Sequence, residues 1–176
     1  ALADVAAAVR SLLRPRLLVG AAAEGVLGGG TEVEDGPGVS LWAARLPVPP
    51  RPVRITAART PSGTAVAGVG AGTVGPGETL VLLADPFTLP VDEVLELLAA
   101  LDPPARVVGW LCAAGRAPGA NRLVLDGEVL AEGAVGVVLP AEVLDGPPGT
   151  GQVVELAPLH GPPHLQVDPR LLLRHP

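Results

Sequence analysis

The chain has one cysteine, one phenylalanine and one asparagine among its 176 residues, and no tyrosine, methionine or lysine. Each shortage excludes something. A lone Cys112 rules out an internal disulfide and a cysteine-based zinc cluster. The lack of aromatics leaves an aliphatic core, and small Ala, Val and Gly side chains suggest closely packed layers. All twelve basic residues are Arg, which, with the excess of Ala, Gly and Pro, points to a high-GC bacterial genome. The net charge is −6 and the Arg residues are scattered. No basic stripe exists for nucleic acid, and no polybasic patch for a membrane. The longest uncharged run, 60–77, is full of Gly and Pro and cannot be a membrane helix. Asp4 and Arg10 stand where a signal peptide would need an apolar core. A cytoplasmic protein is the expectation.

Periodicity supplies the elements. Leu2, Val5, Val9, Leu12 and Leu13 recur at helical spacing, and Pro15 ends the helix. A short strand is expected at 16–19, followed by a flexible glycine loop, 20–25. Strands are expected at 39–46 and 53–58, with 60–77 a Gly-rich excursion. The apolar run TLVLLA at 79–84 suits a strand covered on both faces. The clearest helix is 90–101, with Val91, Val94, Leu95, Leu98 and Leu101 on one stripe. Strands at 106–109 and 133–139 enclose a hairpin turning at Asp126-Gly127. Beyond Pro140 lies a Pro/Gly-rich tail with one strand candidate, 152–156.

Sliding the chain by 89 residues lays its first twenty positions on 90–109 without a gap. Pro15 meets Pro104, and Val19-Gly20 meets Val108-Gly109. This register points to a duplicated helix–strand–glycine loop–strand unit. The second helix follows a buried strand and the first does not, so a missing N-terminal strand is expected. The class is α/β (α+β): a layered mixed β-sheet with two helices. Both glycine loops then follow the carboxyl ends of strands, the edge at which open α/β sheets bind ligands.

Chemistry is sparse. Gly70-Ala-Gly72-Thr-Val-Gly75 spells a dinucleotide fingerprint, but a strand rather than a helix follows it, so no amides would meet a pyrophosphate. Cys112 would need a base to act as a nucleophile, and His160, His164 and His175 all lie in the tail. A small buried hydrophobe suits it better. Glu24, Glu32 and Glu34 read as solvated acids or as a site for a cation or an amine. Asp85, before Pro86, either caps a turn or faces a ligand. Asn121-Arg122 either closes a loop or holds a carboxylate, for which an Arg fork is suited. No metal site and no cofactor is implied.

Three segments occur in order: LLVGAAAEGVLGGGTEVEDGPGVSLWAARLP, LVLLADPFTLPVDEVLELLAAL and VVGWLCAAGRAPGANRLVLDGEVLAEGAVGVVLP. Together they resemble the N-terminal domain of the FIST family, the F-box and intracellular signal transduction proteins, over about residues 1–140. The resemblance implies a cytoplasmic sensory domain that binds a small molecule such as an amino acid. It also implies a signalling partner or second FIST domain as the output, with 141–176 as the entry to a C-terminal one. Departures from the family pattern fall at Ala21, Gly109-Trp110, Ala113 and Pro158-Leu159-His160.

The sequence therefore supports a non-catalytic ligand sensor. The expected ligand residues are Glu24, Asp85, Trp110, Cys112, Asn121 and Arg122. The alternative is a structural or protein-interaction module without a ligand. An enzyme would need a nucleophile–base pair that these residues do not assemble.

Overall fold

The computed structural model describes residues 2–28, 31–34, 36–141 and 152–156. Among them are two helices and twelve strands: α1 (Leu2–Leu13), β1 (Val19–Ala21), β2 (Val26–Gly28), β3 (Thr31–Val33), β4 (Leu41–Arg45), β5 (Arg51–Thr60), β6 (Gly63–Ala67), β7 (Thr79–Ala84), α2 (Val91–Ala99), β8 (Arg106–Leu111), β9 (Leu123–Leu125), β10 (Glu128–Leu130), β11 (Ala134–Leu139) and β12 (Gln152–Leu156). The class is α+β with mixed sheets, as the pattern predicts. The described residues divide into two compact units, one within 2–22 and 48–141 and the other within 23–47 and 152–156. The division is not a single cut in sequence.

The larger unit is built on a five-stranded sheet of order β6-β5-β11-β7-β8. Its pairings are antiparallel except β7 with β8, which are parallel. Parallel neighbours need a crossover, and α2 supplies it. Strand β7 alternates its side chains between two cores, as strand geometry requires. Leu80, Leu82 and Ala84 pack with Val94 and Leu98 of α2 and with Val53 and Ile55 of β5. Leu83 faces the other way, toward a cluster of Cys112, Leu123, Leu130 and Val135. A three-stranded antiparallel sheet, β1-β9-β10, contributes Leu123 and Leu130 to that second cluster. The apolar run at 79–84 is thus buried on both faces because each face has its own layer.

Two glycines are imposed by backbone approach. A Cβ on Gly109 would lie 1.9 Å from the Leu82 carbonyl oxygen of the paired strand. Gly133 has φ +80, and its Cβ would lie 2.3 Å from the Ile55 carbonyl oxygen. At the β9–β10 turn, Asp126 takes φ +58, a conformation that Asp tolerates better than most residues. Its amide donates to the Leu18 carbonyl at 2.7 Å, and its Oδ1 accepts from the Leu18 amide at 3.2 Å. Arg10 of α1 stands 3.7 Å from the same carboxylate.

The smaller unit holds the β2–β3 hairpin and the antiparallel pair β4–β12. Trp42 on β4 is exposed.

The structure departs from the sequence reading at several strands, among them the β2–β3 hairpin, which lies in a stretch read as loop. The glycine excursion at 60–77 contains β6, paired with a β5 that runs to Thr60. Pro61-Ser62 makes the turn, closed by Thr60 Oγ1 donating to the Gly63 carbonyl at 2.8 Å. Alternating small residues hid this strand. The first strand lies at Val19–Ala21 rather than 16–19, because its hydrogen-bonding partner is β9 at Leu123–Leu125. The two helices open 89 positions apart, at Leu2 and Val91, yet the strands after them find different partners. Strand β8 pairs in parallel with β7, and β1 pairs antiparallel with β9.

Leu80→Ala should cost about 2–5 kcal/mol, the usual range for emptying a packed leucine site. Leu97→Ala, on the exposed side of α2, should stay within about 0.5 kcal/mol of the parent. Urea unfolding of both variants checks this; equal losses would put the core elsewhere.

Candidate functional site

Two of the buried polar residues of the larger unit, Asp85 and Asn121, meet where β7 and β8 end. Strand β7 stops at Ala84, and the next residue, Asp85, is fully buried. Its carboxylate takes three uncharged donors. Oδ1 accepts from the Phe87 amide at 3.1 Å and from Asn121 Nδ2 at 2.8 Å. Oδ2 accepts from Thr88 Oγ1 at 2.7 Å. A buried charge is tolerable only when its oxygens are satisfied in this manner. The bond from Phe87 closes an Asx-type turn, so Asp85 does cap its turn.

Asn121 is fully buried as well. Its Nδ2 also reaches the Cys112 carbonyl oxygen at 3.3 Å, and its Oδ1 accepts from the Gly115 amide at 2.7 Å. One side chain thereby pins the loop that runs from Cys112 to Asn121 at both ends. The Cys112 amide donates to the Ala84 carbonyl at 2.8 Å, which continues the β7–β8 ladder into the loop. Thr88 carries the connection to β11: its Oγ1 accepts from the Gly133 amide at 2.9 Å. The Gly133 carbonyl in turn accepts from the Asp85 amide at 2.9 Å.

Arg122 follows directly. Its Nη1 donates to the Gly119 carbonyl at 2.6 Å and to the Asn121 carbonyl at 2.7 Å. The guanidinium is held against the loop while the residue stays exposed. The Arg122 carbonyl accepts from the Ala22 amide at 2.9 Å. Cys112 is buried and free. Burial, with the Asp85 carboxylate nearby, pushes its thiol up to about 11. A thiol so raised is almost wholly protonated at neutral pH and is no nucleophile.

Of the six expected residues, the structure gathers Asp85, Cys112 and Asn121 into one hydrogen-bonded knot, with Arg122 beside it. Trp110 stands two residues before Cys112, exposed on the edge strand β8. Glu24 is exposed and belongs to the smaller unit. Residues 20–22 and 23–25 of the first glycine loop fall in different units. The three histidines lie outside the described residues. Among the described residues, no group of three or more His, Cys, Asp or Glu could hold a metal ion. No helix of the described residues is long and apolar enough to cross a membrane.

Sequence reading passed over Thr88, Gly115 and Gly133. The Asp85-Pro86-Phe87-Thr88 spacing was the available signal, since a Thr three residues after an Asp can return its hydroxyl to that carboxylate.

The family model for the FIST N domain matches residues 1–149. The chain belongs to the FIST family. This is a family associated with sensing in signal transduction and is not known for catalysis. An uncharacterized protein of Mycobacterium tuberculosis is 35% identical to the chain over 137 residues, 78% of this chain and 35% of its own length. One from Mycobacterium bovis is 35% identical over 138 residues, again 78% of this chain and 35% of the relative. This FIST chain therefore spans about a third of the length of the curated relatives it matches. No solved structure matches it significantly.

The knot makes a specific demand on Asn121, which must present N–H groups to Asp85. Asn121→Asp keeps the shape but sets a second carboxylate against the first. Two buried carboxylates at that distance cannot both ionise without cost. The variant should be clearly less stable than the parent at pH 7. The deficit should shrink as pH falls and the pair takes up a proton. Parallel urea titrations at pH 7 and pH 4.5 check this; a deficit independent of pH would contradict it.

Proposed function

We propose that this FIST domain is a cytoplasmic, non-catalytic sensor of a small carboxylate-bearing molecule such as an amino acid. The reading rests chiefly on one arrangement. A loop at the carboxyl ends of β7 and β8 is pinned from below by Asp85 and Asn121, and it carries Arg122 at its end. In open α/β sheets ligands bind beyond the carboxyl ends of parallel strands, and β7 with β8 is the parallel pair of this sheet. Family membership supports the sensory role.

In this reading Asp85 and Asn121 do not touch the ligand. Their hydrogen-bonding capacity is spent inside the protein, and they position the loop. Cys112 lends its carbonyl to the same task. Arg122 is the contact residue: it exchanges its bonds to the Gly119 and Asn121 carbonyls for a fork on the ligand carboxylate. That exchange frees two loop carbonyls and so gives the ligand a preference for one loop state, which a population shift requires. The output is passed to a partner protein or to a further domain of a longer polypeptide. No role follows for Glu24.

A thermal-shift screen of the chain against the standard amino acids and succinate tests the proposal. A ligand present at 100 times its Kd adds about 2.7 kcal/mol, which for this length raises Tm by about 5 °C or more. Arg122→Ala should abolish the shift and leave the unliganded Tm nearly unchanged. No shift with any of these compounds, or an equal shift in the variant, would refute the assignment.

A further inference from the structure

Among the described residues, strand β8 is a sheet edge without the usual protection. Natural edges carry charges, prolines or bulges that discourage pairing. The sequence RVVGWL has one charge, at its first residue, and no proline. All six residues stay in unbroken parallel register with β7, from Thr79↔Arg106 to Ala84↔Leu111. Three large apolar residues stand open on it: Val108 is 52% exposed, Trp110 68% and Leu111 56%.

The free edge has a defined symmetry. The Cys112 amide donates inward to the Ala84 carbonyl. Strand alternation then turns the backbone groups of Arg106, Val108 and Trp110 inward too, and those of Val107, Gly109 and Leu111 outward. The outward set is symmetric about Gly109. We infer that β8 pairs antiparallel with β8 of a second copy of this chain, across a two-fold axis at Gly109.

Every feature of the strand fits that occupant. Gly109 meets its own copy on the axis, and Val107 meets Leu111 of the partner subunit, so all outward groups enter the new ladder. Val108 then faces Trp110 of the partner subunit in a non-hydrogen-bonded pair, where side chains approach closest. Aromatic with β-branched is a favourable cross-strand combination. The side chains of Val107 and Leu111 meet on the opposite face. Arg106 lies three residues from the axis, so the two copies of this charge are about 20 Å apart along the strands, beyond the Debye length. A parallel pairing would instead bring these charges close. The contact is smaller than the 20–30 residues a side of a standard interface, so the dimer should be concentration-dependent.

Sedimentation equilibrium of the chain over a wide concentration range tests this. The expected result is a reversible monomer–dimer equilibrium. Val108→Glu and Trp110→Lys should each weaken dimerisation by tenfold or more. The double variant V108E/W110K should regain it, because each substituted side chain then faces its opposite charge across the two-fold. Leu97→Lys, exposed on α2, should leave it unchanged. Circular dichroism melts confirm that each variant is folded. A wild-type chain that stays monomeric throughout, or a dimer indifferent to the single substitutions, overturns the proposal. Failure of the double variant to recover overturns the two-fold register.

Discussion

The end of the central sheet depends on a buried carboxylate held by uncharged donors. Asp85 could not remain buried as a charge unless donors surrounded it, and it obtains them from Phe87, Thr88 and Asn121. Satisfying one charge therefore fixes three pieces of chain: the turn after β7, the loop after β8 and, through Thr88, the start of β11. The desolvation cost of a carboxylate is large compared with the net stability of a domain. Losing one donor is thus costly out of proportion to a single hydrogen bond. The aliphatic core supplies most of the burial, but it has no directional preference that would set a loop to within an ångström. The polar knot does.

That division of labour bears on function. Residues that look like ligand groups in a polar-poor sequence are mostly committed to the protein itself. Asp85 and Asn121 present the loop, and the exposed Arg122 remains to meet something outside. Cys112, held protonated by burial and by its acidic neighbour, fills space and lends a carbonyl.

Much of the fold was legible in the sequence, for identifiable reasons. TLVLLA read as a two-faced strand because no polar residue interrupts it, and α2 because its leucines and valines hold a 3.6-residue period. The Asp126-Gly127 turn read directly. Strand β6, GTAVA, did not, because small residues carry little pattern and its partner lies across a turn of only two residues. The division into units was illegible: strand β4 at Leu41–Arg45 and β12 at Gln152–Leu156 are far apart in sequence, and only their pairing joins them. At the site, Asn121 stood out as the one asparagine and Asp85 as the acid that ends an apolar run. Their mutual bond spans 36 residues and leaves no local signature. Thr88 was overlooked because a Thr near a Pro and a Phe resembles any turn, and only its spacing from Asp85 marks it.

The central claim is that Asn121, held by Asp85, pins the loop. The most direct measurement is hydrogen exchange at the Gly115 amide, which donates to Asn121 Oδ1 at 2.7 Å. In the parent protein that amide should exchange slowly despite its place in a surface loop. In Asn121→Ala it should approach the unprotected rate, while amides of β7 and β11 stay protected. A Gly115 amide that exchanges freely in the parent, or equally slowly in the variant, would contradict the account.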